Sequence, residues 1–169
     1  MSLMKICTYP DEVLRKKAEP VEQIDESIVK LVNDMAETMY NEPGVGLAAN
    51  QVGVLKRVAV IDVDYTDGKP NLIVLINPEI IEKEGVSQID EGCLSLPGVT
   101  EPVERAAKVR VRALDMHGKE QEIIAEGFFS HAVQHELDHL DGVLLIDHLS
   151  FLKRKMLGRE LLKKKRAAN

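Results

Sequence analysis

Long apolar runs are missing from this chain. No stretch approaches the length needed to span a bilayer, and the N-terminus lacks the basic-then-apolar layout of a secretory signal. A membrane protein is therefore not expected. Cysteine is scarce as well: Cys7 and Cys93 are the only two, too few for a disulfide framework, so a reducing cytoplasm is the expected setting. Internal repeats, linkers and low-complexity segments are also lacking. What remains is one expected domain over residues 1–169, long enough to bury a core. Its 44% apolar and 30% charged residues are those of an ordinary soluble globular protein.

The net charge of -6 hides an asymmetry. Residues 153–166, "KRKMLGRELLKKKR", carry eight basic side chains and one acidic, a balance of +7 that leaves -13 on the rest. An acidic body with a basic tail suits a tail that meets an anionic partner. It does not suit a DNA-binding domain.

Periodicity then sketches an α+β domain. In residues 24–44, Ile28, Leu31, Val32, Met35 and Met39 follow helical spacing, with Asp25 placed to cap the start and Pro43-Gly44 to end it. Two β-branched runs follow at 57–64 and 71–77, separated by the turn "YTDGKP". Residues 108–127 alternate Val109, Val111 and Ala113 with charges and predict a hairpin turning near His117-Gly118. "FFSHAVQHELDHLDG" returns to helical spacing and stops at Gly142, and a last helix is expected from about Ser150 into the tail, with Leu152, Met156 and Leu161 packed on the body.

The late helix carries the chemistry. His135 and His139 lie one helical turn apart, so both imidazoles project from one face and are placed to share a divalent cation. Glu136 points about 100° away. That puts it beside an open coordination position, where a carboxylate takes a proton from water.

A catalytic metal site needs a third protein ligand. The long zinc-protease pattern would place a histidine where Leu145 stands, and that completion fails. Glu160, the only glutamate downstream, sits between Arg159 and Lys163, where a surface ion pair is its expected role. Cys93 in "DEGCLSLPG" is the best completion, because a thiolate binds zinc or ferrous iron strongly and a tight Gly-Cys turn presents it rigidly.

"GVGLAANQ" (44–51), "EGCLS" (91–95) and "QHELDH" (134–139), in this order, resemble the three signature segments of peptide deformylases. The resemblance covers nearly the whole chain, from "YPDEVLRKKAEPV" to the terminal helix. It implies antiparallel sheets packed around a late central helix that carries the HExxH motif, flanked by an N-terminal amphipathic helix and a C-terminal helix. It implies an activity too, the removal of the formyl group from the N-terminal formylmethionine of new polypeptides. By this likeness Cys93, His135 and His139 hold one divalent metal ion, natively Fe2+, with Zn2+, Ni2+ or Co2+ able to take its place, and Glu136 is the general acid/base.

The likeness assigns further residues. Gln51 offers an amide donor and Leu94 a backbone N–H to the oxyanion formed when hydroxide attacks the formyl carbon. Val45, Ile89, Phe128, His131 and Ala132 form the walls of the methionine pocket, His131 at its mouth, with Glu91 and Arg105 as a supporting ion pair. The peptide beyond adds as an extended strand along Gly44–Gly46. The expected partners are N-formylmethionyl nascent peptides and, through the basic helix of about 150–166, the ribosome. Two rivals stand against this reading: an HExxH zinc endopeptidase, and a non-catalytic metal- or RNA-associated factor that uses the tail.

Overall fold

A computed structural model describes residues 2–65 and 68–168. The turn expected at 65–70 falls partly on Thr66 and Asp67, which lie outside the described residues. In chain order the elements are helix α1 (Glu26–Asn41), strands β1 (Gly46–Ala48), β2 (Val58–Ile61), β3 (Ile73–Glu84), β4 (Ser87–Gly92), β5 (Thr100–Arg105), β6 (Lys108–Leu114) and β7 (Glu120–Glu126), then helices α2 (Gly127–Leu140) and α3 (Phe151–Ala168). Short 3-10 turns occupy Glu12–Arg15, Ala49–Val52 and Leu145–His148.

Helix α1 starts where Asp25 predicted it would, because that carboxylate accepts the orphan N–H groups of Ser27 and Ile28. Its buried stripe includes Val32, Met35 and Met39, none of them exposed to solvent. Each stabilises the fold by roughly 1.5–3 kcal/mol through burial.

Five strands form one antiparallel sheet in the order β1-β2-β3-β6-β7, and β4 pairs with β5 in a separate two-stranded sheet. Strand β2 explains why "VAVI" is apolar at every position. Val58 and Val60 join the cluster that contains Val32, Met35 and Met39 of α1, whereas Ala59 and Ile61 join the one that contains Ala132, Val133 and Leu137 of α2. Side chains alternate across a strand, so this strand is buried on both faces between the two helices.

Strand β3 runs to Glu84, past the expected end at Asn77. It continues through Pro78 because the pairing with β6 shifts register there, between Ile76 and Glu79, and a residue without an N–H fits such a break. The β6–β7 hairpin turns where expected: Asp115 N–H donates to Lys119 O at 2.9 Å, and Gly118 takes the positive φ of 78°.

Within "GVGLAANQ", residues 46–48 pair with β2 before the chain enters the Ala49–Val52 turn. One expectation about the terminal helix needs correction. On α3, Leu157 and Leu161 are buried against Leu96, Val99 and Leu144–Ile146, while Leu152 and Met156 face outward. No helix among the described residues is long and apolar enough to cross a membrane.

Candidate metal centre and active site

Three segments meet over α2. Gly44–Gly46 and the Ala49–Val52 turn come from one side, the end of β4 with the Cys93–Leu94 turn from another, and α2 forms the floor. Between them lies a cavity of about 360 Å³. Gly44, Val45, Gly46, Gln51, Glu91, Cys93, Leu94, Phe128, His131, Ala132, His135 and Glu136 all line it. Of the residues expected to wall the pocket, Ile89 is not among those that line it; Arg105, expected as the ion-pair partner of Glu91, pairs with it. Ile89 pairs with Val103 in the two-stranded sheet and is half-buried, on the strand face it shares with Ser87 and Glu91. Arg105 lies behind the cavity, reaching the site only through Glu91.

At the base of the cavity, His139 Nε2 stands 3.3 Å from Cys93 Sγ and 3.2 Å from His135 Nε2. The ligand atoms of Cys93, His135 and His139 all lie within 4.8 Å of one another. Donors bonded to one tetrahedral ion at about 2.1 Å (nitrogen) and 2.3 Å (sulfur) would sit roughly 3.3–3.7 Å apart, so this triangle needs little adjustment.

The chemistry of the donors also fits a cation. A carboxylate only accepts, so Glu91 Oε1 takes the Nδ1–H of His135 at 3.1 Å and leaves its Nε2 lone pair aimed at His139 and Cys93. Two imidazole nitrogens and a sulfur thus converge on one point, a donor set that suits a divalent cation. Glu160, on the exposed face of α3, is outside this cluster.

Glu136 is buried, and its Oε1 has no hydrogen-bond partner among the described residues. Burial pushes its pKa up to about 7, against the pull of His135 and Arg105. For Glu91, burial acts upward too, but hydrogen bonds from His135, Arg105 and His131 prevail and hold it at about 2. The two ligand imidazoles diverge. Burial opposes charge on both; the Glu136 charge nonetheless raises His135, and the His135 charge drives His139 lower still.

Gln51 is buried and held at both ends of its amide: Oε1 accepts Ala48 N–H at 2.9 Å, and Nε2 donates to Ser95 Oγ at 3.1 Å while lying 3.7 Å from Cys93 Sγ. Its NH₂ therefore points into the space beside the donor triangle. Among the described residues, the Leu94 N–H makes no hydrogen bond in its turn.

His131 is not at the cavity mouth. It is 1% exposed, with Nδ1–H on Glu91 Oε2 at 2.7 Å and Nε2 against Ser87 Oγ at 2.8 Å. Asp138 and Ser87 escaped notice in the sequence. Asp138, one residue before a metal-spaced histidine, was findable from the helix register, whereas Ser87 lies on a strand with no apolar pattern to reveal it.

The sequence profile of the polypeptide deformylase family matches residues 3–155. A peptide deformylase of Thermodesulfovibrio yellowstonii is 52% identical over 165 residues, 98% of this chain and 100% of the relative. The crystal structure of a peptide deformylase from Legionella pneumophila superposes with a TM-score of 0.91 at 50% identity, covering 99% of this chain and 98% of that one. The Ehrlichia chaffeensis peptide deformylase in complex with actinonin gives 0.92 at 39% identity, with 98% of this chain and 99% of that one covered. The cavity, its buried carboxylate and these likenesses agree: the chain belongs to the polypeptide deformylase family, metal-dependent hydrolases that remove the N-formyl group from nascent peptides.

Proposed function

We propose that Cys93, His135 and His139 hold the divalent ion of this deformylase, ferrous iron in the cytoplasm, and that Glu136 moves the protons of the reaction. The observation that carries the assignment is the unpartnered, buried Oε1 of Glu136 beside the donor triangle. When bound, the cation supplies Lewis acidity and lowers the pKa of adjacent water. Glu136 accepts a proton from that water, keeps it while the formyl carbon is attacked, and delivers it to the departing peptide nitrogen. A carboxyl whose pKa lies near neutrality suits both halves of that task. The Gln51 amide and the Leu94 N–H receive the negative charge that develops on the formyl oxygen.

The rest of the cavity selects the substrate. Val45, Phe128, His131 and Ala132 offer the methionine side chain a mostly apolar wall. Strand β1 is the edge of its sheet, so an extended peptide adds alongside Gly44–Gly46 through main-chain bonds that ignore sequence. On α3, Lys155, Arg159, Lys163 and Arg166 are exposed along one face next to Leu152 and Met156, and we assign this face to the ribosome.

The assay is formate release from formyl-Met-Ala-Ser by protein prepared without oxygen. Wild type and Cys7→Ala should turn over. Glu136→Gln should keep its metal and lose about 10²-fold or more of the rate. Cys93→Ala should lose the metal. Stoichiometric metal retained by Cys93→Ala would overturn the ligand assignment.

A further inference from the structure

His148 has no part in the reaction described above, yet its ring ends a string of hydrogen bonds that begins at the metal cradle. His135 Nδ1–H donates to Glu91 Oε1 at 3.1 Å. Arg105 grips the same carboxylate twice, Nε to Oε2 at 2.7 Å and Nη2 to Oε1 at 3.0 Å. The third arm of Arg105, Nη1, reaches Asp138 Oδ2 at 2.8 Å, and that oxygen also accepts His148 Nε2–H at 2.8 Å. The string leaves the site through the back of α2 and surfaces at a second cavity lined by Arg105, Asp138 and His148.

We propose that His148 is a positioning residue for the metal centre. It holds Asp138 against Arg105, Arg105 holds Glu91, and Glu91 fixes the ring and tautomer of His135. The inference rests on the metal reading given above.

Burial makes each link consequential. The Arg105 side chain is 4% exposed, so every N–H it owns needs a partner. Asp138 is the weak link, because its side chain is 28% exposed and able to turn toward water. His148 removes that freedom by occupying the oxygen that Arg105 uses. The neighbouring carboxylates do not compete for its ring, since Asp147 is paired with Arg15 and Asp141 with Arg57. Released from His148, Asp138 would leave Nη1 of a buried guanidinium unpaired, and the two-point grip on Glu91 would loosen.

Direct loss of the partner that orients a ligand histidine costs about 10–100-fold in metal affinity. His148 acts several bonds further out, so a smaller loss of roughly 3–10-fold is expected. Because Asp138 needs only an N–H at the Nε2 position, whatever the charge behind it, a glutamine amide should serve as well.

The test measures Co2+ affinity by chelator competition, together with the visible spectrum of the bound ion. His148→Leu should bind Co2+ about 3–10-fold more weakly with a broadened spectrum, and His148→Gln should match wild type. Arg15→Ala is the control: it frees Asp147 on the same 3-10 turn without touching the string, so it should lower stability and leave Co2+ affinity unchanged. Wild-type affinity in His148→Leu would overturn the proposal. So would equal weakening in Arg15→Ala, which would reduce His148 to a staple of the turn. Failure of the wild-type chain to bind Co2+ through Cys93 would instead overturn the metal reading, a separate result.

Discussion

Gly46 and Glu136 face each other so closely that a Cβ on Gly46 would collide with the carboxylate Oε2. The glycine is required by that approach, since its backbone is ordinary strand. Gly46→Ala should therefore keep fold and metal but displace the carboxylate, lowering turnover by about 10²-fold, the penalty for misplacing a catalytic group by around 1 Å. Formate release in Gly46→Ala, Glu136→Gln and the double variant checks this. If the carboxylate is what the alanine disturbs, the double variant is no slower than Glu136→Gln alone.

Glu136 also predicts a pH-dependent stability of the metal-free protein. Its folded pKa of about 7 exceeds the ordinary 4.5, so between those values the folded state holds more protons than the unfolded. Its stabilising effect is complete below about 4.5 and is lost as pH rises through about 7. The full difference is on the order of 3 kcal/mol. Glu136→Gln should accordingly be more stable than wild type at pH 8, with little difference at pH 5. Urea unfolding of both metal-free proteins at the two pH values measures it, together with the part of the His135 titration that the Glu136 charge raises. Equal differences at both pH values would show that this carboxyl is not perturbed.

Gln51 has two duties that one variant disturbs at once. Gln51→Leu removes the donor proposed for the oxyanion, so kcat should fall by about 10²–10³ with KM little changed. It also strands the buried Ala48 N–H, which should lower stability by about 1–3 kcal/mol. Steady-state kinetics and urea midpoints separate the two. A raised KM at unchanged kcat would make Gln51 a substrate-binding residue.

The lysines of α3 divide into two groups. Lys153 pairs with Glu101, Lys164 donates to Pro97 O, and Lys165 binds Thr8 O and Asp11, so reversing these would unpick the helix from the body. Lys155, Arg159 and Lys163 face outward. Reversing these three to Glu should abolish sedimentation with ribosomes at low salt while hydrolysis of a short formyl peptide stays normal. Unchanged cosedimentation would leave the stripe as a solvated face.

The sequence revealed what had a period or a spacing. The His135–His139 pair, the α1 stripe and the β6–β7 alternation each carry their own geometry, and the structure places them as expected. The β4–β5 sheet had no such signal: "SQIDEG" and "TEPVER" are charged, Pro102 interrupts the second, and only their mutual pairing makes them strands. The pocket role of Ile89 came from the resemblance alone, since an element that is not recognised gives its residues no face. On α3, Leu152 with Met156 and Leu157 with Leu161 form two interleaved stripes at identical spacing. Periodicity alone does not say which one faces inward; the apolar surface of Leu96, Val99 and Leu145 decides it. His131 shows the limit differently, because its burial follows from partners, Glu91 and Ser87, on a strand outside its own helix.

The donor triangle joins residues far apart in the chain: Cys93 follows β4, and His139 lies on α2, 46 positions later. The segment between them contains β5 and the whole β6–β7 hairpin. A cation bound there would tie this segment into a ring. That ring lasts only while the fold holds the three donors together, so its binding free energy would add to that of folding. The ion is then a removable cross-link as well as a reagent. Chelation should not only silence the enzyme but also lower its melting temperature, by an amount that grows with the free metal concentration it started from.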